Sequence, residues 1–282
     1  MKTPAMTLFI DVSDAQQLID WNGVVLWIGP NGEKVEGSAC KATEGNTGVD
    51  KQFVNNWNGI LKSGLKARIA YHFADPDTWH PHDPEGEATH FFETVKAQGF
   101  RPGIDGLALD IEQARKIHAG PEFSNWTKIF CQTIATLSGQ RPFIYTGGPF
   151  WNTESVGLDK ETTEFFASHP LWFAAYVLAS SINKFIPTPW HDVGFVLWQR
   201  SGDQCASDCT ILRVGGIGNG KINVDRSELK GPIEDLQKVI AGTVLQISKT
   251  APSPSPFDPG TEPNSEWHVE EDQTSALDKI KN

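Results

Sequence analysis

The sequence is short of basic residues, of cysteine and of long hydrophobic runs. Its 282 residues contain 24 Lys and Arg against 35 Asp and Glu, a formal net charge of -11. This acidity argues against a nucleic-acid groove as the main functional surface, because phosphate binding requires a basic face. No apolar run approaches the ~20 residues that span a bilayer, so we expect no membrane insertion.

Four cysteines are too few for a disulfide framework in a chain of this length. Cys40 and Cys131 have apolar neighbours and are predicted to be buried thiols. Cys205 and Cys209 could close a small loop, but they lack further His or Cys partners for a zinc site. The sequence therefore predicts neither a structural metal nor a cofactor. Its 10 Trp against 3 Tyr are compatible with core packing or with stacking on sugar rings.

Composition divides the chain at residue 250. The segment 251–282 opens with alternating Pro and Ser and contains seven acidic and two basic residues, a net charge of -5. This composition favours an extended, flexible tail. We therefore predict one folded domain over residues 1–250 and a tail over 251–282, which could be a solvated end, a docking segment or a tether.

Short apolar runs alternate with helical patterns along the first 250 residues, which is the rhythm of a parallel sheet with crossover helices. This alternation predicts an α/β fold, a (β/α) barrel with an irregular second half, because helical patterns become rare after residue 170. The predicted helices are Lys51–Ser63, Glu87–Gln98, Glu122–Leu137, Lys160–Ala167 and Glu228–Ala241. The predicted strands are Leu8–Val12, Val24–Ile28, Ala39–Ala42, Ala67–Phe73, Gly106–Ile111, Pro142–Tyr145, Leu171–Tyr176, Phe195–Trp198 and Ile222–Val224.

Polar residues occur where these strands end, and barrel enzymes build their sites at that edge. The residues at the predicted strand ends are Asp11, Lys41, Glu44, His72, Asp110, Glu112, Tyr145, Gln199 and Asp225. A single acid at a strand end commonly caps a helix. Several acids at one barrel edge indicate an active site instead.

Asp110 and Glu112 stand two residues apart on a predicted strand, so their side chains share one face, ~6.5–7 Å apart along the backbone. Two carboxyl groups this close cannot both ionise easily, so one pKa rises and that group can hold a proton near neutrality. Glycoside hydrolysis needs such a group to protonate the leaving oxygen. A helix cap with an ion pair, or a cation site that also includes Asp11 and Asp225, would be the alternatives.

The sequence resembles glycoside hydrolase family 25, the Chalaropsis-type lysozymes. Nine short segments match in the family's order between about residues 8 and 229: Phe9–Ser13, Lys41–Gly45, Asp50–Phe53, Ala70–Ala74, Ala108–Glu112, Phe143–Thr146, Leu171–Tyr176, Leu197–Gln199 and Val224–Asp225. The resemblance implies an irregular barrel of five β/α units with extra strands. It also implies cleavage of the β-1,4 bond between N-acetylmuramic acid and N-acetylglucosamine in peptidoglycan.

The resemblance also implies roles for individual residues. Glu112 matches the general acid, and Asp110 its partner, which would orient the acetamido group or support the transition state. Asp11 and Asp225 match acids that shape the electrostatics of the cleft. The candidate sugar contacts are Lys41, Tyr71, Tyr145, Trp172, Tyr176 and Trp198.

Some residues depart from the family pattern. Asp14 and Ala15 stand where the family has a His-Trp pair, and the Pro-Asn-Gly turn in Val24–Glu33 predicts a hairpin or an insertion. A chitinase-like family 18 activity and a non-catalytic peptidoglycan-binding barrel are the alternatives. The intact set of four acids disfavours the second, and Ala108 disfavours the first, because that family's motif has an Asp there.

The expected partner is the glycan strand of peptidoglycan, bound by a monomer at the bacterial cell wall. The apolar run at the N-terminus is too short for a classical signal peptide. We therefore expect delivery by a holin or by a secretion apparatus, with an immunity protein as a further partner if the chain is an injected toxin.

Overall fold

In the computed structural model, which describes residues 7–76, 83–114, 117–202, 212–229 and 231–242, nine strands form one sheet. The strands are β1 (Thr7–Val12), β2 (Lys34–Glu44), β3 (Gly48–Val49), β4 (Ala67–Phe73), β5 (Asp105–Asp110), β6 (Phe143–Gly147), β7 (Leu171–Ala174), β8 (Leu197–Ser201) and β9 (Asp225–Leu229).

The sheet closes into a barrel of eight strands. Neighbours from β1 through β2 and β4 to β8 pair in parallel, and β9 closes the ring by pairing antiparallel with both β8 and β1. The two-residue strand β3 pairs only with the end of β2. The predicted irregular α/β barrel is therefore confirmed.

Seven α-helices lie among the described residues: α1 (Trp21–Leu26), α2 (Phe53–Ser63), α3 (Pro84–Ala97), α4 (Pro121–Ser138), α5 (Gly148–Glu154), α6 (Lys160–Ala167) and α7 (Ile233–Ile240). Their ends follow local chemistry. Asp159 caps α6 by accepting from the Thr162 amide, while Gly64 and Gly139 end α2 and α4 in the left-handed conformation. After β7 the chain forms 3-10 turns at Ala179–Phe185 and Thr188–Trp190, so the irregular second half is confirmed.

Buried apolar side chains form two layers. The inner layer fills the barrel below the site with residues such as Phe9, Ala108 and Phe143, and it continues into the apolar face of α7. The outer layer packs the opposite faces of the strands against the surrounding helices. Because side chains alternate along a strand, the sequence parity of each residue decides which layer it joins.

The predicted strand Val24–Ile28 is wrong. Residues 21–26 form helix α1, because Asp20 caps the helix by accepting from the Asn22 amide, and Trp21 and Val24 bury one helical face. A turn follows, in which the Gly29 amide donates to the Glu33 carbonyl before β2 begins.

The predicted boundaries around residue 225 are also wrong. The strand is Asp225–Leu229 rather than Ile222–Val224, and the last helix begins at Ile233 rather than at Glu228. The side chains of Arg226 and Glu228 face the outer layer, where they form an ion pair of 2.7 Å, while Asp225 and Ser227 face inward. This alternation is that of a strand, and α7 begins directly after Pro232.

Cys40 and Cys131 are buried free thiols, as predicted. The tail 251–282 and the pair Cys205 and Cys209 lie outside the described residues. Of the helices described, none is sufficiently long and apolar to cross a membrane.

Candidate active site

A cleft opens at the carboxyl edge of the parallel strands, with a volume of about 220 Å³. The four acids singled out from the sequence line it: Asp11, Asp110, Glu112 and Asp225. Asp225 begins β9 rather than ending a strand. It reaches the same edge because β9 runs antiparallel, and the register pairs Asp225 directly with Asp11.

Asp110 and Glu112 form the acidic centre of the cleft. Asp110 ends β5 and is buried, and its Oδ1 has no hydrogen-bond partner among the described residues. The Ile111 amide donates to the Tyr145 carbonyl, so the backbone stays extended and brings Glu112 to the same face at the exposed mouth.

Both carboxyl groups have raised pKa values. Loss of hydration raises the pKa of Asp110 well above its usual range, and the charges of Glu112, Asp11 and Asp225 raise it further. Loss of hydration around the carboxylate also raises the pKa of Glu112. The pair can therefore retain a proton at pH values where an ordinary carboxyl group has lost it.

Lys41 supplies the positive charge of the cleft. Its ammonium pairs with Glu44 at 2.5 Å and lies 4.7 Å from the centre of the Phe73 ring. This charge opposes the effect of burial and lowers the pKa of both Asp110 and Glu112. Lys41 is thus placed both to tune the acid pair and to contact a ligand.

Gln199 connects the two sides of the cleft. Its side-chain oxygen accepts from the hydroxyls of Tyr145 at 2.8 Å and Tyr176 at 2.9 Å. Its amide nitrogen donates to both carboxylate oxygens of Asp11 at 3.2 Å and to Asp225 at 3.5 Å.

Three of the predicted aromatic contacts, Tyr71, Tyr145 and Trp172, line the cleft, and the Trp172 indole donates to Ser227 at 2.9 Å. Tyr176 lies beside the cleft, where its hydroxyl donates to Gln199. Burial and the nearby acids Asp11 and Asp110 raise the pKa of Tyr71 well above its usual range, so its hydroxyl stays protonated.

The predicted sugar contact at Trp198 is wrong. Trp198 is fully buried in the outer layer, where its indole donates to the Ala175 carbonyl at 2.6 Å, so it does not face a sugar. His72 also faces outward and is buried between Thr43 and Glu87, at 2.8 Å from each. Both residues follow the parity of the outer layer.

Ser13 and Phe73 also line the cleft but were not proposed from the sequence, and Gln199 was noted only as polar. Strand parity could have identified both Phe73 and Gln199. Phe73 stands two residues from a predicted site residue and Gln199 two residues from a core residue, so each shares the inner face of its strand with that residue. Ser13 follows β1 and accepts from the Ala15 amide, so its position depends on a local turn.

Within the part of the chain that the structure describes, no group of three or more His, Cys, Asp or Glu side chains is placed to hold a metal ion.

The sequence matches a known family model and a curated protein. Residues 10–208 match the model described as glycosyl hydrolases family 25. The uncharacterized protein YegX of Escherichia coli strain K12 is 30% identical over 237 residues, which cover 83% of this chain and 73% of YegX.

Solved structures share the fold. A muramidase from Trichobolus zukalii superposes with a TM-score of 0.63 at 26% identity, covering 84% of this chain and 99% of that chain. A bacterial lysozyme from Streptomyces coelicolor gives a TM-score of 0.67 at 23% identity, covering 86% of this chain and 100% of that chain.

Proposed function

This chain belongs to glycosyl hydrolase family 25 and is a peptidoglycan hydrolase of the lysozyme type, and from this premise we propose that Glu112 is its general acid. The observation that carries the proposal is the meeting of four carboxyl groups in one cleft, with the pKa values of Asp110 and Glu112 both raised. The bond cleaved is the β-1,4 link from N-acetylmuramic acid to N-acetylglucosamine.

Glu112 is chosen over Asp110 because of exposure. Glu112 stands at the mouth, where a glycosidic oxygen can approach it, while Asp110 is only 8% exposed beneath it. A proton on Glu112 passes to the leaving oxygen as the bond to the sugar breaks, and water then adds to the sugar carbon and returns a proton to the acid pair. The two carboxyl groups share one proton as a coupled pair, and in the reacting state this proton lies on Glu112. The ionised Asp110 beneath it then stabilises the positive charge that develops on the sugar ring.

The other residues bind the sugar. Asp11 and Asp225 add negative potential on the side of the cleft opposite β5, and Tyr71, Tyr145, Trp172 and Tyr176 supply aromatic faces and hydroxyls to the glycan. Lys41 reaches polar groups of the ligand from β2. Aromatic faces with a small number of placed polar groups are typical of sugar sites.

The test of this proposal is Glu112→Gln, which keeps the size of the side chain and removes its acid. We expect release of muropeptides from purified sacculi to fall by at least about a hundredfold, while the folded state is kept. Glu93→Gln, on the exposed side of α3, is the matched control and should retain full activity. Substantial turnover by Glu112→Gln would contradict the role of Glu112 as the acid.

Chitin is the second substrate in this assay. Release of products from chitin but not from sacculi would favour the chitinase-like alternative, and binding of sacculi without release would favour the binding barrel. Muropeptide release from sacculi alone supports the proposal.

The biological partners remain predictions from the sequence. We propose a monomer that acts on the bacterial cell wall, delivered by a holin or by a secretion apparatus, with an immunity protein if the chain is injected. A holin gene beside this gene would favour the first route, and secretion and immunity genes the second.

A further inference from the structure

Gln199 is 2% exposed and is bonded on both sides of its amide. An amide oxygen has two lone pairs, and those of Gln199 are taken by the hydroxyls of Tyr145 and Tyr176. The amide nitrogen faces the carboxylates of Asp11 and Asp225. A flipped amide would set its oxygen against these acids, so the network fixes the orientation of the side chain.

The bonds to Gln199 decide what the two tyrosines can offer a ligand. Each phenol has one proton, and each gives that proton to Gln199. The lone pairs of each hydroxyl oxygen remain. Tyr145 and Gln199 line the cleft, and the Tyr176 hydroxyl lies 2.9 Å from Gln199 beside it, so toward a sugar the two hydroxyls would act as hydrogen-bond acceptors.

The Tyr176 hydroxyl is also closely approached by the backbone at Gly202. A Cβ added to Gly202 would lie 2.5 Å from the Tyr176 hydroxyl and 3.3 Å from Asp225 Oδ1. Gly202, which directly follows β8, therefore leaves the space that the Tyr176 hydroxyl occupies beside Gln199.

We propose that Gln199 is a positioning residue that makes the Tyr145 and Tyr176 hydroxyls obligate acceptors for N–H or O–H donors of an N-acetylated amino sugar. This inference rests on the proposed function, because it takes the cleft as the sugar site. It adds a specificity determinant on the side opposite the acid pair, carried by β8 rather than by β5.

The charged and titratable groups that face Gln199 belong to several elements. Asp11 lies on β1, Asp225 on β9, Tyr145 on β6, and Tyr176 just after β7. Asp110 and Glu112 line the same cleft from β5. A variant at residue 199 therefore must be compared at one pH, well below the titration of tyrosine.

The test is a double-mutant cycle between Gln199 and Tyr176. Gln199→Met keeps the length of the side chain and removes every hydrogen bond. Tyr176→Phe removes one hydroxyl. The readout is kcat/KM on soluble, uncross-linked glycan strands.

In the wild-type background we expect Tyr176→Phe to lower kcat/KM about five- to tenfold, the effect of one ordinary hydrogen bond. In the Gln199→Met background we expect a loss of less than about twofold, because the hydroxyl is no longer held. An unchanged loss in the Met background, or wild-type activity of Gln199→Met itself, would overturn the proposal.

Controls separate positioning from damage to the fold. Gln132→Glu, on the exposed side of α4, should leave activity unchanged. Circular dichroism checks that each variant folds. If a variant at residue 199 does not fold, Gln199→Asn is used in its place. The shorter Asn side chain should also reduce the coupling to Tyr176.

The same double-mutant cycle is repeated with the affinity for glycan strands as the readout. This affinity is measured from the change in tryptophan fluorescence on binding. If the wild-type chain releases no muropeptides, the proposed function fails, and the coupling at Gln199 is still decided from binding. If muropeptides are released but no coupling appears, only the role of Gln199 fails.

Discussion

At the scale of single residues, Lys41 sets how readily the acid pair gives up its proton. Its ammonium lies in the same cleft as Asp110 and Glu112 and lowers the pKa of both. A positive charge stabilises the ionised carboxylate, so removing it favours the protonated form.

We therefore predict that Lys41→Gln moves the alkaline limb of the pH–activity profile to higher pH. The general acid stays protonated further into the alkaline range when the charge is gone. The measurement is kcat/KM against pH on glycan strands, with Lys96→Gln on the exposed face of α3 as the control. A limb that stays in place or moves to lower pH would contradict this assignment.

Strand parity explains how much of the site the sequence could predict. Asp110 and Glu112 were identified because their spacing of two places both on one face whatever the rest of the fold does. The same rule places the side chain of Gln199 toward the barrel interior and that of Trp198 toward the outer layer. Trp198 was nevertheless predicted as a sugar contact, because aromatic rings stack on sugars. The bond from Gln199 to Asp11 joins residues 188 positions apart, and no local pattern records it.

At the scale of elements, His169 connects α6 with the turn before β8. Its ring donates from Nδ1 to the Phe165 carbonyl at 3.0 Å, and its own carbonyl accepts from the Trp190 indole at 2.9 Å. Burial lowers its pKa from 6.5 to about 4. The folded state thus holds this imidazole neutral.

We predict that His169 makes the fold less stable in acid. The unfolded chain takes up a proton as the pH falls through 6.5, while the folded chain does so only near 4, so stability present above pH 6.5 is lost between these values. The loss is up to about 3 kcal/mol.

Urea unfolding of His169→Gln and wild type at about pH 7.5 and about pH 4.5 measures this loss. The difference between the two proteins should shrink in acid by up to that amount. His191→Gln, at an exposed histidine, should leave the difference constant. If His169→Gln loses as much unfolding free energy in acid as the wild-type protein does, groups other than His169 are responsible.

The long helices were predicted well, and the eight-residue helix α6 was predicted with its exact bounds, whereas α1 and β9 were not. Helices α2, α3 and α4 carry three or more turns of pattern and were found within a few residues. Helix α1 has only six residues, and its β-branched pair Val24 and Val25 suggested a strand, but tertiary packing of Trp21 and Val24 decides. Strand β9 was misplaced because its polar residues Asp225–Leu229 did not form an apolar run.

At the scale of the whole molecule, helix α7 forms the floor of the barrel. Ile233, Leu236, Val239 and Ile240 are buried in the inner layer with the lower strand residues. Each such side chain contributes about 1.5–3 kcal/mol on burial. Their sum is comparable with the whole stability of an ordinary domain.

We predict that a chain ending at residue 250 folds and releases muropeptides like the full chain, because the barrel and its floor are complete. A chain ending at residue 232 should fail to fold, because the inner layer is open to water. Circular dichroism and thermal denaturation of both proteins decide the matter. An inactive or unfolded chain of 250 residues would show that the tail 251–282 is part of the working domain.

The net charge of -11 predicts a weak dependence on salt. An acidic protein gains no long-range attraction to an anionic wall, so binding depends on short contacts within the cleft. Between about 50 and about 300 mM salt, we expect kcat/KM on sacculi to change less than about threefold at constant pH. A steep fall with salt would mean that charge attraction drives binding after all.

The barrel closes where the first strand meets the last. Asp11 comes from β1 and Asp225 from β9, and the two pair directly in the register. During synthesis, one edge of β1 therefore stays unpaired until more than two hundred further residues have left the ribosome. A nascent chain cannot hold both acids in one cleft before β9 is made, so the hydrolase becomes competent only after that strand has been synthesised, and termination before β9 yields a chain without a working site.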